Sequence, residues 1–426
     1  MEMLGHDVVI VGAGFAGAAA AVELARSKYR TVILEARDRV GGRAFTRGFA
    51  DGGDMLEFGG SWITPWHERI RRHAAQNQIE LRPTHAVTEH RMHDGLALRS
   101  GKPCAPPAEA AYGRSMERIR ADAAAYQSGD ARTVGISFNT YLDGIHASPE
   151  ARVQAQAWWT ISGNGDPDRI SAAEFLASCA YGGGLPDGMM TALRHTLVQG
   201  ASVLVERMVA RSGAELRLGT AVDRIEQAVG GVRVIAGQGE QFSARSAIVC
   251  VPLNALQSIE FVPPLRPRQR FAIQTGHGGI AIKLWIAAKN ASVGTLATGG
   301  GSGVQWMFAE RAAKDGVTLI MAFALVDGSF EPRSRHDVAE ALHRFFPEAQ
   351  LVAWDWHDWI DDPWARGTWV AAPADAPWIA DSGEWQPEGR IFFASSDFSH
   401  DSPGWFEAAI ASGEAAAQGV ASIMNR

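Results

Sequence analysis

An α/β fold is the class that the sequence predicts, and three features near the N-terminus support it. The run Asp7–Val11 has the character of a short buried strand. The glycine-rich run Gly12–Gly17 follows it directly and leads into an alanine-rich helix, Ala18–Arg26. A second apolar strand is predicted at Thr31–Glu35. Together these features form a βαβ unit of the size found in Rossmann-like, dinucleotide-binding parallel sheets.

The glycine run has the spacing of a phosphate-binding turn. It reads GAGFAG. Gly12 would make the tight turn, Gly14 would let the backbone approach a pyrophosphate, and Gly17 would let the helix pack on the strand. Glu35 ends the second strand, about 20 residues past the glycines, where an acid accepts a hydrogen bond from a ribose hydroxyl. Because an acid would repel a 2′-phosphate, Glu35 argues against NADP at this site.

Helical and strand-like patterns alternate through the rest of the chain. The region from Arg69 to Tyr126 is mostly helical and mixed, with a proline-rich break at Cys104–Pro107. Further helices are predicted at Pro149–Trp159, Ser171–Ala180 (before a glycine break at Gly182–Gly184), Ser202–Arg211, Asp337–Phe346 and Trp405–Ile423. Strands are predicted at Glu215–Leu218, Ala221–Glu226, Val232–Ile235, Ala247–Val251, Ile280–Ala287, Val317–Leu325 and Arg390–Ala394.

Composition excludes several function classes. A net charge of -7 gives no basic surface for nucleic acid or for acidic lipid. No run of about 18 apolar residues predicts a membrane span. The apolar N-terminal stretch lacks a basic flank and contains three glycines, which argues against a signal peptide. Three widely separated cysteines, Cys104, Cys179 and Cys250, predict neither disulfides nor a zinc site, so a cytoplasmic location and no metal are expected.

A longer motif continues out of the second strand. Glu35–Arg43 reads EARDRVGGR and resembles the LEAxxRxGGR motif of the flavin amine oxidase superfamily. Gly41 and Gly42 would bring backbone amides close to phosphate or flavin, and Arg43 would supply a fixed cationic fork. The resemblance covers essentially the whole chain. It implies a Rossmann-like FAD-binding domain (residues 1–75, 201–268 and 386–426) interleaved with a mixed-sheet plus helical substrate domain (76–200 and 269–385), the topology of monoamine oxidase and p-hydroxybenzoate hydroxylase.

Four later segments resemble the FAD-contacting motifs of the same superfamily. They are Glu57–Ile63, Ala247–Pro252, Arg390–Asp397, in which Ser396 and Asp397 replace Thr-Glu, and Pro403–Ala409. No cysteine lies near Trp369, where monoamine oxidases attach the flavin, so non-covalent FAD is expected. The resemblance implies these cofactor-binding residues: Gly12, Gly14, Phe15, Ala16, Gly17, Glu35, Ala36, Arg37, Gly42, Arg43, Gly59, Gly60, Ser61, Trp62, Val222, Val251, Pro252, Ser396, Asp397, Gly404, Trp405, Phe406 and Ala409.

The resemblance also implies the catalytic residues. Lys283 interrupts an apolar strand, where a lysine is costly to bury without a purpose, and in the family it holds a water against flavin N5. Trp369 and Trp405 match the aromatic pair that sandwiches the amine and excludes water. Trp62, Thr160 and Trp306 are further candidates for contact with substrate.

Shared runs such as Gly276–Gly279 and His357–Ile360 resemble the 6-hydroxynicotine-oxidising branch of the superfamily. That branch has tyrosines at the positions of Trp62 and Trp405 and an asparagine at Thr160, which allows a differently shaped substrate. The predicted reaction is FAD-dependent oxidation of a small amine, of the 6-hydroxynicotine type or another cyclic or secondary amine. Hydride passes to flavin N5, the imine is hydrolysed, and O2 reoxidises the flavin to give H2O2.

Three alternatives remain open from sequence. An L-amino acid oxidase would need a cation for the substrate carboxylate soon after Gly59 and Gly60, where the chain reads SWITPW. A flavin amine dehydrogenase would use a protein electron acceptor in place of O2. A non-catalytic, FAD-stabilised binding protein would not need Lys283 or the tryptophans. The expected partners are a small amine and O2 or another redox acceptor, and a homodimer is left open.

Overall fold

The secondary structure alternates between strands and helices along the chain. The structure, a computed structural model, describes residues 5–51, 53–101, 106–186, 192–300, 303–399 and 402–424. Cys104, at the start of the predicted proline-rich break, lies outside these residues. The helices are α1 (Phe15–Arg26), α2 (Glu68–Gln76), α3 (Pro106–Gln127), α4 (Phe138–Gly144), α5 (Pro149–Ser162), α6 (Ala172–Tyr181), α7 (Ala201–Ser212), α8 (Pro267–Thr275), α9 (Arg335–Phe345) and α10 (Phe406–Met424).

The strands are numbered separately in chain order. They are β1 (Val8–Val11), β2 (Thr31–Leu34), β3 (Thr46–Gly48), β4 (Met55–Glu57), β5 (Leu81–Pro83), β6 (Glu89–His93), β7 (Leu98–Ser100), β8 (His195–Leu197), β9 (Glu215–Arg217), β10 (Val222–Ala228), β11 (Gly231–Ala236), β12 (Gln241–Ala244), β13 (Ser246–Val249), β14 (Glu260–Val262), β15 (Ala281–Lys289), β16 (Thr295–Gly299), β17 (Val304–Ala312), β18 (Val317–Leu325), β19 (Gln350–Trp356) and β20 (Ile391–Phe393).

A parallel sheet confirms the predicted α/β fold. Its five strands run in the order β20-β13-β1-β2-β9, and each neighbouring pair is parallel. Both faces are covered, which explains why β1 is apolar throughout. Val8 and Ile10 pack against the helices α1, α7 and α10, whereas Val9 and Val11 pack toward the small sheet β12-β11-β10-β14.

A seven-stranded mixed sheet forms the second unit of the fold. Its order is β19-β15-β18-β17-β16-β6-β7. Successive side chains of β15 point to opposite faces of the sheet. Ile282, Leu284 and Ile286 face a core built around α9. Lys283 and Trp285 therefore point to the opposite face, toward the glycine-containing segment after β4.

The helices α3 to α6 pack into a separate apolar core beside this sheet. Phe138 and Trp159 stack with ring centroids 4.1 Å apart, and Trp62, Trp369 and Trp405 pack against the edge of the cluster. Serine hydroxyls cap α4, α5 and α6 by accepting backbone N–H groups. Among the described residues, no helix is long and apolar enough to cross a membrane.

Close packing of α1 against α10 depends on a glycine. A Cβ atom at Gly413 would lie 2.1 Å from the Ala16 carbonyl oxygen. We expect Gly413→Ala to force the two helices apart and to lower the free energy of unfolding by about 1–3 kcal/mol. Denaturant unfolding would measure this, with Gly113→Ala in α3 as the control because a Cβ there meets nothing within 4 Å. Equal stability of the two variants would contradict the close approach.

Candidate active site

One cavity collects nearly all of the predicted cofactor residues. Of that set, only Gly17 and Asp397 are outside its lining. Gly17 instead packs α1 against the turn, since a Cβ there would lie 2.0 Å from the Gly12 oxygen. Asp397 is fully buried directly behind the wall. The structure thus brings together segments that lie more than 300 residues apart in the chain.

The turn after β1 forms a cradle at one end of the cavity. Gly12 has φ +102°, which favours glycine, and a Cβ there would lie 2.9 Å from the Cys250 oxygen. The Glu35 carboxylate accepts hydrogen bonds from the backbone N–H groups of Ala13 (2.7 Å) and Arg37 (3.0 Å). Arg37 is held in turn by Asp362 at 2.7 Å. The predicted acid is therefore fixed at the end of β2, beside the open N-terminus of α1.

Arg43 joins the cavity wall to a buried acid. Its guanidinium donates to Asp397 Oδ1 at 2.6 Å and to Ser396 Oγ at 3.0 Å. Burial alone would raise the pKa of the Asp397 carboxyl, but the charge of Arg43 and the hydrogen bond from the Leu253 N–H lower it overall. Burial lowers the pKa of His277 to about 4, so this imidazole is neutral. The Arg43–Asp397 ion pair fixes the segment after β20 against the Glu35–Arg43 loop.

Lys283 reaches the cavity from β15. Its ammonium donates to the Gly59 carbonyl oxygen at 2.9 Å and to Ser61 Oγ. Burial lowers the pKa of Lys283 to about 8, against the opposing effects of the Glu57 and Glu310 carboxylates. The Lys283 ammonium therefore lies in the cavity wall beside the Gly59–Ser61 segment, where it can act on a molecule bound in the cavity.

Aromatic side chains form the walls next to this ammonium. Trp62, Trp369, Trp405 and Phe323 all line the cavity. Trp369 lies edge-on to Phe323, with centroids 6.2 Å apart. A Cβ at Gly404 would lie 2.9 Å from the Trp369 Cβ atom, so the residue before Trp405 packs directly on Trp369. The two tryptophans predicted as a pair therefore come from neighbouring segments of the same wall.

Thr160 and Trp306 do not line the cavity, in contrast to the expectation that they contact substrate. Thr160 is only 1% exposed on α5. Trp306 is fully buried behind Trp62, with ring centroids 5.8 Å apart, and borders a separate small void. The pairing of β17 with β18 is irregular on either side of this position.

The cavity also has lining residues that sequence reasoning missed. A helical end wall is formed by one stripe of α6 and the last turns of α5: Trp158, Ile161, Ser162, Glu174, Ala177, Ser178 and Tyr181. Trp359 and Trp364 line the cavity beside Arg37 and Asp362, in the cradle. Burial raises the pKa of the Glu174 carboxyl to about 7, although its hydrogen bond from the Ala372 N–H opposes the shift. Ser171 and Glu174 have the spacing of a helix-capping box, so the sequence alone indicates a helix start here.

The lining fits a flavin dinucleotide. The glycine turn and the N-terminus of α1 suit a pyrophosphate, and Glu35 suits a ribose hydroxyl. Gly60 is exposed to the cavity, and a Cβ there would lie 2.7 Å from the Phe406 ring, so bulk is excluded beside Lys283. The cavity then continues into the aromatic and helical walls, which leaves space for a second, smaller molecule.

Comparisons with known proteins agree with this site. A family model described as flavin containing amine oxidoreductase matches residues 127–421, and one described as NAD(P)-binding Rossmann-like domain matches residues 10–76. (S)-6-hydroxynicotine oxidase of Paenarthrobacter nicotinovorans is 30% identical over 97% of this chain and 99% of its own length. Pseudooxynicotine dehydrogenase of a Pseudomonas species is 27% identical over 99% of this chain and 87% of its own.

A solved structure of a putrescine oxidase bound to putrescine has the same fold. It has a TM-score of 0.85 at 23% identity and covers 99% of both chains. The predicted resemblance and the predicted flavin cofactor are both confirmed by these matches. The chain therefore belongs to the family of flavin-containing amine oxidoreductases, enzymes that use FAD to oxidise amines.

Proposed function

We propose that this enzyme oxidises the C–N bond of a small amine in the space between Lys283 and the helical end wall. The observation that carries the proposal is one cavity that joins the dinucleotide cradle to a buried ammonium and an aromatic wall. Bound FAD would accept a hydride from the carbon next to the amine nitrogen. The resulting imine would be hydrolysed by water.

The protein side chains would prepare the amine for this reaction. Trp62, Trp369 and Trp405 would exclude water around the nitrogen, and the same low-dielectric surroundings favour the neutral amine over its ammonium form. Only the neutral form carries the lone pair that assists hydride departure. The Lys283 cation would add to this effect because like charges in a shared site disfavour each other.

The helical end wall argues against an amino acid as the substrate. A substrate carboxylate needs a cation, yet the charged side chain of this wall is Glu174. Arg37 and Arg43 in the lining already pair with Asp362 and Asp397, and the Lys283 ammonium donates to the Gly59 oxygen and Ser61 Oγ. An acid in the end wall offers a substrate carboxylate no positive charge, so the lining supports an uncharged or basic amine over the L-amino acid oxidase alternative.

Anaerobic spectroscopy tests the proposed reaction. FAD-loaded protein would be mixed without oxygen with 6-hydroxynicotine, nicotine, alkylamines, polyamines, arylalkylamines and L-amino acids. Bleaching of the flavin band near ~450 nm by an amine is the expected result, since the cofactor itself reports hydride transfer. Readmitted air then separates the proposed O2-dependent oxidase from a dehydrogenase. Bleaching by L-amino acids alone would overturn the substrate assignment.

A further inference from the structure

Glu174 is an isolated acid inside an apolar part of the cavity. It projects from the first turn of α6, one turn before Ser178, on the stripe that ends at Tyr181. The same wall is lined by apolar side chains, Trp158, Ile161 and Ala177, and by the polar side chains of Ser162, Ser178 and Tyr181. Among the described residues, it makes no ion pair, and its carboxylate accepts one long hydrogen bond, from the Ala372 N–H at 3.5 Å.

Helix capping does not account for this acid. In a capping box, the N3 glutamate would accept from the backbone N–H of the N-cap residue, Ser171. That N–H instead donates to the Ala372 carbonyl oxygen at 3.1 Å. The Ser171 hydroxyl already caps the helix by accepting from the Ala173 N–H. Glu174 is thus left to face the cavity, where burial without a partner is costly for a charged group.

A second polar group in the same wall lacks a partner. Ser162, on the last turn of α5, also lines the cavity, and its buried hydroxyl has no hydrogen-bond partner among the described residues. A carboxylate and a free hydroxyl are both acceptors, and an alkylammonium offers three N–H donors. Buried polar groups are normally satisfied, and the Glu174 carboxylate, with its single long hydrogen bond, is the group of this wall that a ligand supplying N–H donors would complete.

From this geometry we infer that Glu174 binds a second, protonated nitrogen of the substrate, so that the preferred substrate class is a diamine or a similar dibasic amine. This inference rests on the proposed function of the same cavity. The first nitrogen would lie neutral between the tryptophans near Lys283. The second would remain an ammonium and pair with the Glu174 carboxylate, which the ion pair would keep ionised.

Matched ligands test the inference without any variant. The holoenzyme would be titrated with α,ω-diamines and with n-alkylamines of equal chain length, by anaerobic rapid mixing and by calorimetry. We expect the wild type to bind the best diamine about 100-fold more tightly than its monoamine counterpart, as for a buried charge pair. Equal affinity for diamine and monoamine would overturn the role of Glu174, even if both ligands reduce the flavin.

Glu174→Gln isolates the charge, because glutamine keeps the shape and still suits the helix start. We expect this variant to lose the roughly 100-fold diamine preference, because its affinity for the diamine should fall far more than its affinity for the monoamine. Glu150→Gln is the matched control, a first-turn glutamate of α5 that is outside the cavity lining. Weakening of both ligands alike by Glu174→Gln would contradict the inference. If no amine bleaches the flavin, the proposed function fails, while calorimetry still decides the role of Glu174.

Discussion

Lys283→Met should retain FAD but lower turnover by about 100-fold. The substitution preserves the length of the side chain and removes the ammonium that donates to the Gly59 carbonyl oxygen and Ser61 Oγ. A positioned proton-transfer group contributes on the order of 10²–10⁴-fold to rate, and we expect the lower end of that range here. Steady-state turnover with the best amine, together with the flavin absorbance of the purified variant, measures both outcomes.

The same substitution should change the pH profile. The pKa of Lys283 is about 8 in the folded protein, below its ordinary value of 10.5, because burial disfavours the ammonium. The turnover rate of the wild type should therefore change with pH around pH 8, where Lys283 titrates. The rate of Lys283→Met should not show this change. Lys289→Met, at the exposed end of the same strand, is the control and should keep this change of rate with pH.

Stability should move in the opposite direction from activity. Since the folded-state pKa of Lys283 is lowered, the buried ammonium costs free energy below pH 8, and this cost disappears as the pH rises to 10.5. Lys283→Met should therefore be more stable than wild type at pH 7, by at most about 3 kcal/mol before the lost hydrogen bonds are counted. Its advantage should shrink above pH 8. A variant that is less stable at pH 7 and loses FAD would show that Lys283 is structural.

Local patterns made the dinucleotide cradle predictable from sequence. A phosphate-binding turn needs a strand, three spaced glycines and a helix within one short segment, and all of these are adjacent between Asp7 and Arg26. Strands β15 and β18 were also predicted closely, because each is a long run of buried, mostly apolar residues. Such features depend on nearest neighbours in the chain, so they are visible without tertiary information.

The substrate end of the cavity could not be predicted in the same way. Strands β16, β17 and β19 were not predicted, since β17 mixes charged with apolar residues and two register shifts interrupt its alternation. Trp306 lies on this irregular strand, behind Trp62. Glu174 fits a helix-capping pattern, and only the hydrogen bond from the Ser171 N–H to the Ala372 oxygen shows that the carboxylate does not cap its own helix. Contacts between distant segments set these orientations, so the periodicity of residues within one segment does not predict them.

Loss of the Arg43 guanidinium should have the largest effect on stability of any change at this site. Arg43→Met would leave Asp397 fully buried with only His277, whose Nε2 lies 4.0 Å from Asp397 Oδ2, as a neighbouring basic group. Breaking a buried ion pair from one side costs about 3–5 kcal/mol, and we expect unfolding of the apoprotein at pH 7 to show a loss in this range. FAD binding should weaken as well, because the segment after β20 loses its contact with the Glu35–Arg43 loop.

The pH dependence and a double variant separate this mechanism from simple loss of packing. With Arg43 present, the pKa of Asp397 lies below its ordinary value, so the pair stabilises the fold at neutral pH and less so as the pH falls toward that pKa. Without Arg43, burial would raise the pKa of Asp397. The stability difference between Arg43→Met and wild type should therefore become smaller as the pH falls from 7 to 5.

Adding Asp397→Asn to Arg43→Met should recover part of the lost stability, since it removes the buried, unpaired charge. The Arg47–Asp355 pair is more exposed. The same comparison of single and double variants there should give a coupling free energy of only about 1 kcal/mol or less. Equal coupling at the two pairs would mean that burial of Asp397 does not control the stability of this site.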